Sequence, residues 1–405
     1  MDEVKEGCKY VKGVGEIPED WEVKKLNKCV DIIIGLVNPI EEPYCNMIHI
    51  GLGNIEKLTG RLLEIYTAKE EKLTSGKYLF NEEHVLYGKI RPELGKVVFP
   101  QFEGICSADI YPLKANKNII IPLYLKYILL DYRFYKYSVS ISMRTGMPKI
   151  NRNEISNYKV ILPPLSQQKK ISQILSTWDE AIDKTKKLIE DKKLQKKGLM
   201  QQLLTGKKRL KEFQGEEWEE VKLGDVLKFK KKEPITNPEK YYLLTVKLHL
   251  KGIEATNNKP NITKKGRPYY LREPNELLIG RQNFHNGGMG IVPNEMVGYI
   301  ASNAISSLEA KKGNLKFYYY YLSNSNFYKR IGHIIGGTGQ KEISESMMKK
   351  LKVTLPSVKE QQAIANILTT ADKEINLLEE KLEVLKEQKK GLMQQLLTGK
   401  VRVKV

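Results

Sequence analysis

Along two stretches of the chain, apolar residues recur at alternating steps of four and three. The first stretch runs through Ile171, Leu175, Trp178, Ile182 and Ile189, with Leu199 and Leu203 beyond. The second runs through Ile364, Leu368, Ala371, Ile375, Leu378, Leu382, Leu385, Leu392 and Leu396. This spacing predicts two long helices, each with a coiled-coil seam. Pro163-Pro164 precedes the first helix, Ser357 with Glu360 offers a capping box for the second, and Thr205-Gly206 and Thr398-Gly399 stop them. About 40 helical residues reach roughly 60 Å. Thr185, Lys192 and Lys196 interrupt the first seam. The other copy within the chain is the partner that tethering favours, in antiparallel sense, with a domain at either end. The alternatives are that each helix packs on its own domain or on another molecule.

Outside these stretches the pattern is that of mixed α/β domains. Short β-type runs occur at His84–Ile90, Ile105–Leu113, Tyr158–Leu162, Tyr242–Leu248, Tyr299–Leu308 and Leu351–Leu355. Two aromatic-rich stretches, Leu123–Tyr137 and Leu315–Tyr328, read as helices whose tyrosines pack inward rather than offer stacking platforms.

The two helical stretches are copies of one another. KKGLMQQLLTGK at Lys196–Lys207 recurs unchanged at Lys389–Lys400. The match extends backward without a gap: Leu162-Pro163 with Leu355-Pro356, Gln168 with Gln361, Asp179 with Asp372. Weaker echoes cover the rest, including Trp21-Glu22 with Trp218-Glu219, Val85–Lys89 with Leu277–Arg281, and Thr145-Gly146 with Thr338-Gly339. The chain is therefore an internal duplication with a constant helical part and a variable part. After the first copy the sequence continues through Arg209 to Gly215 and Trp218; after the second it reaches Arg402 and ends, and the missing continuation stands at Gly15 and Trp21. The termini should meet, giving an approximately twofold, circularly permuted molecule.

Composition narrows the partners. The 405 residues carry 68 Lys plus Arg against 48 Asp plus Glu, a formal charge of +20. Such an excess points to a polyanion, most simply nucleic acid, with a solubilising lysine-rich surface as the alternative. No apolar run is long enough for a membrane helix, and no apolar stretch follows the charges of MDEVKEGCKYVKG, so a signal peptide is not expected. Cys8, Cys29, Cys45 and Cys106 show no tight pairing, which suits a reduced, cytoplasmic protein.

Catalytic signatures are missing. There is no Asn-Pro-Pro-aromatic or Asp-Pro-Pro-aromatic motif, no Gly-rich nucleotide turn after a strand, and no phosphate loop around the Thr-Gly-Lys helix ends. Glu309-Ala310-Lys311 fits a bare nuclease triplet but lacks an acidic partner on a preceding strand. His49, His84, His249, His285 and His333 have no metal-ligand spacing. No catalytic residue and no metal site is assigned.

Taken together, the duplicated Leu-Pro and Gln leading into a long helix, the Leu-Leu-Thr-Gly-Lys helix ends and the Trp21 and Trp218 openings resemble the specificity subunits of type I restriction–modification systems, over essentially the whole chain. The resemblance implies an α+β fold of two mixed α/β target recognition domains joined by two long helices in an intramolecular antiparallel coiled coil. Its segments would be recognition domain 1 at 1–162, a helical region at 163–206, recognition domain 2 at 207–355, a helical region at 356–400 and a tail at 401–405. It implies double-stranded DNA as partner, each recognition domain reading one half of a bipartite, asymmetric site. Two methyltransferase subunits would assemble on the chain, and restriction subunits can join. No cofactor is expected in this chain; S-adenosylmethionine, magnesium and ATP would belong to the partners. A stiff coil would act as a ruler for the unread spacer, one helical turn of about 5.4 Å corresponding to roughly 1.6 base pairs.

Candidate base readers come from the loops that differ between the copies. Lys89 and Arg91 match Arg281, Gln282 and Asn283 after a shared Gly turn; Arg suits guanine, and Gln or Asn suits adenine. Arg144 and Lys149, with Gln340 and Lys341 opposite, occupy a second matched loop and suit phosphate contacts or packing on the coil. For either loop, a plain exposed turn is the alternative.

Overall fold

The computed structural model describes residues 6–142, 147–261, 266–334 and 342–405, the side chains at 283, 326, 330 and 332–334 excepted. The chain divides into two units, Met1–Thr185 with Lys381–Val405 and Lys186–Glu380. The two long helices, Leu165–Leu203 and Val358–Leu396, are 39 residues each, and each gives one half to either unit.

In the first unit, strand Glu22–Lys25 pairs antiparallel with Lys159–Leu162, bringing the opening and closing strands of the domain together beside the helix start. One four-stranded sheet follows the order Val30–Ile32, Ile110–Ala115, His84–Gly88, Val97–Val98. The other is ordered Tyr66–Thr67, Ile48–Ile50, Gly104–Ser107, Lys77–Phe80, with one parallel pair at its centre. The second unit repeats this arrangement. Glu219–Lys222 pairs with Lys352–Leu355; one sheet is Leu227–Phe229, Ile305–Ala310, Leu277–Gly280, Met289–Ile291, and the other is Ile253–Ala255, Tyr242–Val246, Tyr299–Ser302, Tyr269–Leu271. The fold is α+β, as the pattern predicts.

Two features depart from the sequence reading in the same way in both copies. The run predicted as one strand at Ile105–Leu113 is two, broken at Ala108-Asp109, and Tyr299–Leu308 is broken at Asn303-Ala304. The chain leaves one sheet and enters the other at each turn, which a continuous apolar run conceals. Each aromatic stretch is a pair of helices, Pro122–Leu130 with Tyr132–Ser142 and Leu315–Ser323 with Ser325–Ile334. Asp131 and Asn324 adopt extended backbone at the breaks, a role suited to short polar side chains that compete with helical hydrogen bonds.

The cores join helices to domains. In the first unit, Ile171, Leu175, Met393, Leu396 and Leu397 pack in one cluster with Trp21, Tyr87, Tyr124, Tyr127 and Phe134. In the second, Leu203, Leu204, Ile364 and Leu368 pack with Phe317, Tyr318, Tyr320 and Leu355. Each such buried side chain contributes about 1.5–3 kcal/mol, so the helix ends are anchored in the domains as well as along the seam. The inward packing agrees with the sequence reading for Tyr124, Tyr127, Tyr318 and Tyr320, whereas Tyr132 is exposed.

The seam forms within the chain. Ile171, Leu175, Ile182, Ile189, Ile364, Leu368, Ile375 and Leu382 are buried, while Trp178, Leu378 and Leu385 are half-buried. The interruptions are filled by polar pairing. The Thr185 hydroxyl donates to the Ala181 carbonyl at 2.8 Å, Lys192 meets Glu374 at 2.6 Å, and Lys196 meets Asp372. As one helix advances from Lys192 to Lys196, the other retreats from Glu374 to Asp372, so the pair is antiparallel. The predicted capping box is only half present. Ser357 Oγ receives the Glu360 N–H at 3.5 Å, but the Glu360 carboxylate turns to Arg209, whose Nε and Nη2 each donate at 2.8 Å. Segments near the two chain ends meet in the first unit, where Arg402 donates two bonds of 2.7 Å to Asp20.

Candidate nucleic-acid interface

A repeated polar frame positions the variable loops. In the first unit, Gln168 accepts the Ile121 N–H and donates to the carbonyls of Ile119 and Pro163, all at 2.9 Å. In the second, Gln361 accepts the Asn314 N–H at 3.1 Å and donates to Pro356 at 3.0 Å. Further along each helix an aspartate ties the domain to the opposing helix. Asp179 accepts the Tyr127 hydroxyl at 2.8 Å and pairs with Lys126 at 3.3 Å and with Lys389. Asp372 accepts the Tyr320 hydroxyl at 2.7 Å and pairs with Lys196. Burial holds the Lys126 ammonium below the usual lysine range, with Asp179 opposing that shift.

On this frame, loops remote in sequence come together. Strand His84–Gly88 delivers Lys89–Arg91 beside residues 148–150: Arg91 N donates to the Pro148 carbonyl at 2.8 Å, Ile150 N to Lys89 at 3.0 Å, and Ile90 bridges Lys149. Lys89, Arg91 and Lys149 therefore lie along one edge. Lys149 is exposed. Arg91 is 63% exposed, and among the described residues its carboxylate contact, Nε to Glu93 at 3.1 Å, leaves the terminal nitrogens for an outside acceptor. Its φ of 51° places a non-glycine residue in the left-handed region ahead of Pro92, a conformation costing about 1–2 kcal/mol. Lys89 is largely committed elsewhere, its Nζ donating to the Ala108 carbonyl at 2.7 Å and lying over the Tyr111 ring.

In the second unit the same loops meet again. Arg281 N donates to the Ala304 carbonyl and Ile343 N to the Arg281 carbonyl, both at 3.1 Å. The Arg281 side chain is mostly enclosed, its Nε 2.8 Å from Glu342 but off-axis for a hydrogen bond. Gln282 lines a cleft of about 280 Å³ with Thr245, Tyr269 and Ser302. Sequence reasoning missed these three, because their strands carry no motif and converge only through sheet pairing. The Asn283 side chain, Arg144, Gln340 and Lys341 lie outside the described residues.

Groups that could have suggested chemistry have structural partners. Glu309 pairs with Lys228 at 3.0 Å, which holds its carboxyl below the usual range, and Lys311 donates to the Gly224 carbonyl at 2.6 Å. Among the described residues, no three His, Cys, Asp or Glu side chains are grouped to hold a metal ion, and no helix is long and apolar enough to cross a membrane.

Comparison with known proteins follows this duplicated geometry. A family profile described as "Type I restriction modification DNA specificity domain" matches residues 18–191 and again 215–387. A Methanocaldococcus jannaschii protein provisionally designated the MjaX specificity subunit of a type I restriction enzyme is 30% identical, over 96% of each chain. The MjaVIII specificity subunit of the same organism is 28% identical, over 98% of this chain and 97% of its own. The crystal structure of a type I restriction–modification S subunit from M. genitalium has the same fold, with a TM-score of 0.60 at 15% identity over 96% of this chain and 97% of that one.

Proposed function

Since the chain belongs to the type I restriction–modification DNA specificity family, we propose that it is the sequence-reading subunit of such a system. Recognition domains at 1–162 and 207–355 each read one half of a bipartite, asymmetric DNA target in the cytoplasm. The helix pair sets the spacer and seats two methyltransferase subunits. The chain itself performs no chemistry; S-adenosylmethionine, magnesium and ATP serve partner subunits.

One observation carries this reading: the two copies keep the frame and change the loops. The Gln168/Gln361 clasp, the Tyr127/Tyr320 hydroxyls on Asp179/Asp372 and the Lys389/Lys196 pairs are the same bonds made twice. On that common frame, Lys89-Ile-Arg stands in one copy and Arg281-Gln-Asn in the other. Equal scaffolds with unequal reading edges suit an asymmetric target, because base edges in the major groove are told apart by donor and acceptor pattern. The net charge of +20 supplies the sequence-independent attraction to phosphates.

Single-molecule sequencing for modified bases in the source genome, with and without this gene, tests the proposal. Deletion should erase methylation at one split, asymmetric motif. Unchanged methylation, with no co-purification of a methyltransferase, would overturn it.

A further inference from the structure

The cavity at the end of the first long helix has a filled counterpart elsewhere in the chain. It measures about 510 Å³, within the range of ligand clefts, and is lined by Leu204, Gly206, Trp218, Tyr321, Phe327 and Thr354 among others. The equivalent place in the first unit lies where Gly399 ends the second long helix beside Trp21. There the chain's own hairpin, Cys8–Val11 with Gly15–Pro18, lays Pro18 against the glycine. A Cβ on Gly399 would fall 2.5 Å from the Pro18 ring and 3.2 Å from Trp21, and Ile17, Pro18 and Trp21 are all buried.

Strand register makes the equivalence firm: Glu22 faces Leu162 and Glu219 faces Leu355, so Trp21 matches Trp218 and Pro18 matches Gly215. At Gly215 the backbone is exposed and nothing approaches a Cβ within 4 Å. The nearest atom to a Cβ on Gly206 is Trp218 Cε2 at 3.6 Å. The helix-end glycine, the tryptophan and the arginine 5.8 Å from its ring are retained, as Gly399, Trp21 and Arg402 in one copy and Gly206, Trp218 and Arg209 in the other. The proline has gone, with Gly215 in its place, and Gln214 stands where the first copy has Ile17. The indole donors differ as well. Trp21 Nε1 donates to Gln167 at 3.0 Å, but the matching position holds Glu360, engaged by Arg209, and Trp218 Nε1 is buried without a hydrogen-bond partner.

We propose that this cavity is a docking site for an extended, proline-bearing segment of a partner protein, seated on Gly206 and Trp218 as Ile17-Pro18 is seated on Gly399 and Trp21. Aromatic walls suit proline because its ring is apolar and its backbone is already stiff, so little entropy is lost on binding.

The test uses the full chain and a neutral probe patterned on Gly15–Glu19, acetyl-Gly-Gln-Ile-Pro-Gln-amide, followed through the tryptophan indole N–H resonances, with Trp218→Phe assigning the signal. The expected result is a saturable shift of the Trp218 resonance at up to millimolar peptide, with Trp21 and Trp178 unmoved. The Pro→Ala peptide should bind at least tenfold more weakly, and Thr354→Trp, an exposed position on the cavity wall, should abolish the shift. If Thr354→Trp does not fold, the alanine peptide still decides the matter. Absence of a shift, equal binding of the alanine peptide, or binding unaffected in a folded Thr354→Trp chain would overturn the proposal. So would a dimer of the chain alone that Thr354→Trp dissociates, since the cavity would then belong to a second copy.

Discussion

Replacing Asp179 with asparagine should destabilise the first unit by about 2–4 kcal/mol, and the matching Asp372→Asn the second unit by only about 1–2 kcal/mol. The difference comes from what each carboxylate neutralises. Asp179 serves two enclosed ammonium groups, Lys126 and Lys389, whose side chains are 12% and 11% exposed, as well as the Tyr127 hydroxyl. Asp372 serves Lys196, 21% exposed, and the Tyr320 hydroxyl; Tyr319 stands where the first copy has Lys126. Asparagine keeps an oxygen for the tyrosine but leaves the ammonium groups unpaired. Breaking a fully buried pair costs about 3–5 kcal/mol, and the partial exposure of both aspartates lowers that figure. Urea unfolding monitored by tryptophan fluorescence separates the units, because Trp21 and Trp178 belong to one and Trp218 to the other. A double-mutant cycle with Lys389→Met should return a coupling of about 1–2 kcal/mol. Equal losses for the two aspartates, or no coupling between Asp179 and Lys389, would refute the account.

The first unit should also lose stability as pH falls below 6.5, the ordinary histidine value. Burial lowers the pKa of both His49 and His84 in the fold, so the unfolded chain binds protons first; their contribution is complete above 6.5 and declines toward the lowered folded values, which His49→Gln should blunt in the same urea assay. At the chain ends, Arg402 holds Asp20 below its ordinary 3.8, so the contact should persist at mildly acidic pH and be lost only as pH falls through that lowered value, read as faster hydrogen exchange in residues 397–403. Arg91→Ala should relax discrimination by about 1–3 kcal/mol at one position of one half-site, measured by competition among target variants, whereas uniform weakening on all sequences would make it a phosphate contact. Inserting one helical turn into both long helices should lengthen the methylated spacer by one to two base pairs, roughly 5.4 Å against 3.4 Å per pair, with both half-sites unchanged.

The duplication, the two helices with their seam and stops, and the meeting of the chain ends are all legible in the linear sequence. Each is written as identity at a fixed offset or as a local period, and a period of three and four survives whatever the surroundings. The α+β class and the inward-facing tyrosines follow from similar local patterns. Other features depend on partners distant in sequence. Apolar runs do not reveal where a strand changes sheet, so Ala108-Asp109 and Asn303-Ala304 emerge as turns only when both sheets are in place. Glu360 reads as a capping residue until Arg209, 151 positions away, claims its carboxylate. Ile90 against Lys149 and Arg281 against Ile343 create the loop edges proposed above to read DNA, and the same pairing encloses Lys89 and Arg281 while leaving Arg91 exposed. Hydrogen bonds and ion pairs between distant residues have no period, so only the folded chain decides which side chains they leave facing outward.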